Sequence, residues 1–259
     1  MVMNFQPLFM SMSISFLLLA GSVLALAQSA PEEQGPIPIH NADESQAPIP
    51  QVLFRPSRTG RPPDTRGAGS RNDRLCPQDR AANSGVTADA PALTALVPND
   101  EEGLTWAERP TVWVYLPETS ARQMVLSISD EDSQPHSQRF LPITGSGIVG
   151  ISLDESAPPL EVGRSYQWAV VLVCGDRPSP NDPFVTAWVR RVAGSGEPPE
   201  DALEQAVWYG ERGIWYDALA ALVEVRRSQP TDQAITDIWS SFLTQPSVRL
   251  GAVANEPLQ

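Results

Sequence analysis

From Ala90 to Val192 the apolar residues of this chain fall in short β-type runs cut by Pro, Gly, Asp and Ser, the spacing of an all-β sandwich. Seven strands are expected: Ala92 to Val97, Thr111 to Leu116, Gln123 to Ser129, Ser137 to Ile143, Gly147 to Leu153, Ser165 to Cys174 and Phe184 to Val192. Two alternate cleanly. Met124, Leu126 and Ile128 share one face while Gln123, Ser127 and Ser129 share the other, and Val149, Ile151 and Leu153 repeat the pattern, so each strand has one buried face. After Gly194-Ser195-Gly196-Glu197-Pro198-Pro199 the period becomes helical. Ala202, Leu203, Ala206 and Val207 make one stripe, Trp215, Ala218, Leu219, Leu222 and Val223 a second, and Ala234, Ile235, Ile238, Trp239, Phe242 and Leu243 a third. Gly210 and Gly213 separate the first two helices, Pro230 ends the second, and Thr231 or Asp232 caps the third. The expected fold is mainly β: a seven-stranded sandwich domain over 76–193, then a small three-helix tail over 199–258.

The strongest local signal is Leu160-Glu161-Val162-Gly163-Arg164-Ser165-Tyr166 running into Trp168, Val170 and Leu172. Leu and Tyr at this spacing resemble the tyrosine corner of fibronectin type III and related Ig-like sandwiches, where the Tyr hydroxyl bonds back to the backbone. The immunoglobulin signature itself is absent, because Tyr166 lies eight residues before Cys174 rather than two. Period two places Tyr166, Trp168, Val170, Leu172 and Cys174 on one face, in the core.

At the other end, Ile14 to Leu26 is a short apolar run closing on Ala25-Leu26-Ala27, the small-residue pattern cut by a signal peptidase. Its n-region has no Lys or Arg and relies on the α-amino group for positive charge. The rival reading is an uncleaved anchor, but a span needs roughly 20 apolar residues and this shorter run is broken by Gly21 and Ser22. Residues 1–27 are therefore expected to be a signal peptide. The product is expected in the periplasm or outside the cell, with no stable membrane insertion after cleavage. From Gln28 to Leu75 the chain is Pro, Ser, Gly and charge with almost no apolar periodicity, so 28–75 reads as a disordered, Pro/Arg-rich tether.

Charge narrows the partners. The net charge of −13 argues against nucleic-acid binding, which needs a basic surface. Residues 55–80 nevertheless hold seven Arg against three Asp, a local net of +4 that leaves −17 elsewhere. This strap, including Arg66 and Arg71, either grips a protein partner or an anionic envelope polymer, or lies on the chain's own acidic body or stays solvated. All 18 basic residues are Arg. Schiff-base chemistry and the P-loop lysine are thereby excluded, and no cofactor is implied.

Cys76 and Cys174, an isolated pair in an exported chain, are expected to form a disulfide, with two separate buried thiols as the alternative. No metal site is expected, since beside these the chain offers only His40, in the tether, and His136, in a turn. Neither His sits where a rigid general base should, and no catalytic residue is assigned. Asp130-Glu131-Asp132 could bind a hard cation weakly or be a solvated turn. Of seven Trp, most fall within apolar stripes; Trp106 and Trp188 are the least certain and could stack on a sugar if exposed.

Two family resemblances add to this. Ala206, Tyr209, Gly213, Ala218, Leu222 and Pro230 are at the spacing of one tetratricopeptide repeat, over about Pro199 to Pro230. A single copy either packs on the sandwich or presents a docking surface, which makes Trp208, Tyr209 and Trp215 candidate partner-binding residues. Over Arg66 to about Leu258, the residues Arg66-Gly67-Ala68-Gly69-Ser70-Arg71, Cys76, Leu93 to Pro98, Gly103 to Thr111 with Trp113 and Tyr115, Gly147-Ile148-Val149, Tyr166-Gln167-Trp168, Cys174, and Gly213 to Leu219 together resemble a family known mainly from cyanobacteria, domain of unknown function 928. The resemblance implies an exported setting, a cyanobacterial periplasm or exterior, and does not point to any particular activity. The function expected is a non-enzymatic interaction module; the alternative is an envelope carbohydrate-binding or hydrolytic protein.

Overall fold

The period-two faces close on one another as two sheets. A computed structural model describes residues 50–57, 75–82, 91–98 and 102–259, all within the unit Gln46–Gln259. In chain order the elements are α1 (Pro77–Ala82), β1 (Thr94–Ala95), β2 (Gly103–Thr105), β3 (Thr111–Leu116), β4 (Gln123–Asp130), β5 (Pro135–Pro142), β6 (Gly147–Ser152), β7 (Ser165–Val173), β8 (Phe184–Arg191), α2 (Ala202–Glu211), α3 (Trp215–Ser228) and α4 (Gln233–Thr244), then a 3₁₀ turn at Gly251–Val253. One sheet has the order β1-β3-β6 and the other β2-β8-β7-β4-β5. The described residues thus hold eight strands, not seven. The additional one, β2, runs parallel to β8, with Gly103 opposite Val189 and Thr105 opposite Arg191. Three residues are too few to show alternation. The strand expected from Ala92 narrows to two residues, although Leu93 and Leu96 beside it are fully buried.

Tyr166, Trp168, Val170 and Leu172 of β7 all point into the core, as period two requires. The Tyr166 hydroxyl accepts a hydrogen bond from the Glu161 N–H at 3.1 Å, which pins the turn before β7. Asp201 and Asp232 cap α2 and α4, each accepting from two N–H groups of the first turn.

The tail is part of the same core. Trp215 and Tyr216 at the start of α3 are buried among sandwich residues. The Trp215 indole N–H donates to the Leu96 carbonyl at 2.9 Å. The Tyr216 hydroxyl accepts from Trp168 Nε1 at 2.7 Å and donates to the Trp188 carbonyl at 3.0 Å, tying α3 to β7 and β8. Burial pushes the Tyr216 hydroxyl far up, so it keeps its proton. The change of period after 193 therefore marks a change of element and not of core. The last residues return to the small sheet: Ile148 donates to the Pro257 carbonyl and Gln259 to the Ile148 carbonyl, so the end of the chain covers the β6 edge.

Candidate interaction surface

The sequence candidates scatter to different places. Cys76 and Cys174 are joined in a disulfide, with Cα atoms 5.5 Å apart. It holds the start of α1 against the end of β7, and α1 makes a second attachment through Asp79. That carboxylate accepts from Thr119 Oγ1 at 2.7 Å and from the Ser120 N–H at 2.8 Å. Burial works to raise the Asp79 carboxyl, but these hydrogen bonds outweigh it and hold it below the usual range. Arg66 and Arg71, like most of the Arg-rich strap and His40, lie outside the described residues.

The tether reading fails for residues 50–57. There Val52 and Phe54 are buried among the tail helices, and Phe54 meets the Trp215 ring edge-on at 4.9 Å. The backbone is held as if in a groove: Gln245 accepts from the Phe54 N–H and donates to the Val52 carbonyl, both at 2.9 Å, while Arg55 donates to the Gly210 carbonyl at 2.9 Å. Glycine makes this approach feasible. A Cβ on Gly210 would stand 2.5 Å from the Leu53 carbonyl oxygen, and one on Gly213, whose φ is +71°, 2.7 Å from the Arg55 oxygen. Gly→Ala inside a helix ordinarily stabilises by about 1 kcal/mol. Gly210→Ala is expected to do the reverse, expelling residues 50–57 and accelerating hydrogen exchange at the Arg55 amide. A raised melting temperature with unchanged Arg55 protection would show that the close approach is unimportant.

Trp215 and Trp188 are not surface residues. Trp215 is fully buried and stacked on Phe242 at 5.2 Å, and Trp188 is 7% exposed. Both are corrected from candidate partner contacts to core.

Trp106, Trp208 and Tyr209, by contrast, come together half-buried where the sandwich meets the tail. Trp106 follows β2, while Trp208 and Tyr209 are neighbours on α2. The three rings pack edge-to-face in every pairing, with centroids 5.0 Å (Trp106 to Trp208), 5.6 Å (Trp106 to Tyr209) and 5.1 Å (Trp208 to Tyr209). The exposed Arg212 guanidinium lies over the Trp208 ring at 3.8 Å. Asp217, in the first turn of α3, fixes the position of Trp106 by accepting from its N–H at 3.1 Å and from Thr105 Oγ1 at 2.8 Å. Burial pushes the Asp217 carboxyl up, while those hydrogen bonds work in the opposite direction. Arg212 and Asp217 were not singled out from sequence. For Arg212, the available signal was a cation four residues after Trp208 on one helix face.

Asp130, His136 and Glu102 are committed elsewhere. Asp130 accepts from the Asp132 and Gln134 N–H groups and pairs with Arg164 at 3.0 Å, bracing its own turn. His136 packs edge-on against Tyr166 at 5.1 Å, and burial lowers its pKa. Burial also raises the Glu102 carboxyl, beside Ser165 and Arg190. Among the described residues no group of three or more His, Cys, Asp or Glu could hold a metal ion, and no helix is long and apolar enough to cross a membrane.

Over residues 66–258 the sequence matches the family described as Domain of Unknown Function (DUF928). The protein is a member of the DUF928 family. The matched stretch includes both cysteines and the whole aromatic junction, while residues 50–57 precede it. No curated protein matches this DUF928 chain. Among solved structures it is similar to the fn3 domain of human collagen alpha-1(XX) chain, at 14% sequence identity and a TM-score of 0.26, over 45% of this chain and 97% of that one. A likeness at that level carries no argument about function.

Proposed function

We propose that this DUF928 protein is an exported, non-enzymatic interaction module that takes a protein partner on the junction of Trp106, Trp208, Tyr209 and Arg212. The observation that carries the proposal is the half-exposed aromatic cluster with its stacked guanidinium. Trp, Tyr and Arg dominate the energetic centres of protein interfaces, and rings already packed against one another lose little side-chain freedom on binding. The helix pair α2–α3 serves in this reading as a tetratricopeptide-like hairpin whose groove holds the chain's own residues 50–57, so the partner side is the junction and not the groove. A disulfide joining distant parts of the chain supports an oxidising compartment, here a cyanobacterial periplasm or exterior. The Arg-rich strap is a secondary contact for an anionic envelope polymer in the same reading. Burial of Trp188 weakens the carbohydrate alternative, because its ring offers no stacking face.

The test compares partner capture by the oxidised chain with capture by Trp208→Ala and Arg212→Ala, using crosslinking in an envelope extract and then the identified partner in isolation. Loss of a centre of this kind should weaken binding about thirty-fold or more. Arg212 is exposed, so its variant should keep the parent's melting temperature. Equal capture by all three proteins would sink the reading. Salt-resistant co-sedimentation with exopolysaccharide, unaffected by the variants, would replace it with the carbohydrate one.

A further inference from the structure

The other strand edges among the described residues are short or covered. β1 has two residues, β2 three, and β6 is overlaid by Leu258. The outer edge of β5 is eight residues long, and no described strand pairs with it. Its ladder with β4 shows which backbone groups point outward. Ile143 donates to Arg122, so the alternation of an antiparallel pair turns Leu141 and Arg139 toward β4 and leaves Gln138, Phe140 and Pro142 facing out. Pro142 agrees with this, since its missing N–H is on the outer side where no bond to β4 is lost. Phe140 is 53% exposed at the middle of this edge.

The sheet face behind the edge is uncharged, and Val125 within it is buried. Phe140 continues across the sheet as the row Phe140, Val125, Val171 and Phe184, and Gln138 as the row Gln138, Ser127, Ala169 and Thr186. Residues 133–153 contain no Asp or Glu, in a chain that has 31. The one Arg among them, Arg139, is held by Ser152 and Asp154 of the same chain. Two copies each carrying −13 repel over most of their surfaces and meet least repulsion where acids are missing.

We propose that the β5 edge pairs with β5 of a second copy of this chain, antiparallel about Arg139, joining the two five-stranded sheets into one. In that register Gln138 of each copy faces Phe140 of the other, and each such pair exchanges both N–H···O bonds. The two uncharged rows become continuous across the joint. A strand pair with one aromatic contact is a small interface, so the dimer is concentration-dependent.

The experiment is sedimentation velocity of the purified, oxidised full chain between about 10 µM and 1 mM, with amide exchange at both extremes. A dimer that grows with concentration and slows exchange at Gln138 and Phe140 is the expected result. Gln138→Pro removes an outward N–H without costing a bond to β4, and Phe140→Lys places like charges beside each other. Both should remain monomeric with a circular dichroism spectrum like the parent's. If Gln138→Pro does not fold, Phe140→Lys and the exchange pattern still decide. A chain monomeric at every concentration overturns the proposal, as does a dimer that Phe140→Lys leaves intact. Protection of these amides only in the presence of an envelope extract would assign the edge to a different partner and likewise overturn it.

Discussion

Trp215→Ala is expected to lower the melting temperature of the sandwich and the helical tail together, by about 10–15 °C, through a loss of about 3–5 kcal/mol. The side chain is fully buried, stacked on Phe242 and met edge-on by Phe54. Removing it empties the space where α3, α4 and residues 50–57 converge. It also leaves the Leu96 carbonyl without the indole N–H that serves it, inside the core. A loss of this size is a large part of what a single domain has in reserve. Because Tyr216, the next residue, bonds to Trp168 and to the Trp188 carbonyl, the damage reaches β7 and β8 directly. Helical ellipticity and near-ultraviolet signals should therefore move in one transition. A sandwich melting at the parent's temperature after the helices had gone would show that the tail is a separate domain. Trp106→Ala, at a half-buried site, should cost much less.

Strands β3 to β8 and the three tail helices follow from periodicity, because each is long enough for its own buried face to repeat. β2 escapes because Gly103–Thr105 shows no full repeat and its partner β8 lies far along the chain. Residues 50–57 escape for a related reason: Val52-Leu53-Phe54 is a three-residue apolar run with no alternation, amid proline and arginine that read as a tether, and only the fold buries Val52 and Phe54 while leaving Leu53 exposed. Gly213 lies between α2 and α3 as a helix break should, but Gly210 is inside α2, and the use of both as the floor under another segment depends on contacts far away in sequence. Trp188 illustrates the limit for sites. Register places it on the outer face opposite Gln167, yet it is buried, and burial on an outer face is decided by what packs over it. Trp106 is legible in the sequence as an aromatic of uncertain place and Trp208 as a candidate partner contact, but not the two as neighbours.

Replacing both Cys76 and Cys174 by Ala is expected to cost about 4–5 kcal/mol, the chain-entropy figure for a long closed loop. The bridge spans 98 positions, enclosing α1 and β1 to β7, so its loss frees a large part of the unfolded chain. In the native state α1 would still be held by Asp79. That hold has its own pH dependence. The folded carboxyl lies below its usual value of 3.8, so its contribution is complete above that value and is lost as pH falls through the lower, folded one. Reduced or doubly substituted protein should therefore melt well below the oxidised form at neutral pH, and α1 should detach first on acidification, when neither attachment remains. Thermal melts with and without reductant, with alkylation confirming that both thiols are free, measure the first effect; amide exchange at the Ser120 N–H, which donates to Asp79, follows the second. If full reduction left the melting temperature unchanged, the bridge would be a consequence of an oxidising compartment and not a support of the fold. The core and Asp79 would then have to position α1 unaided.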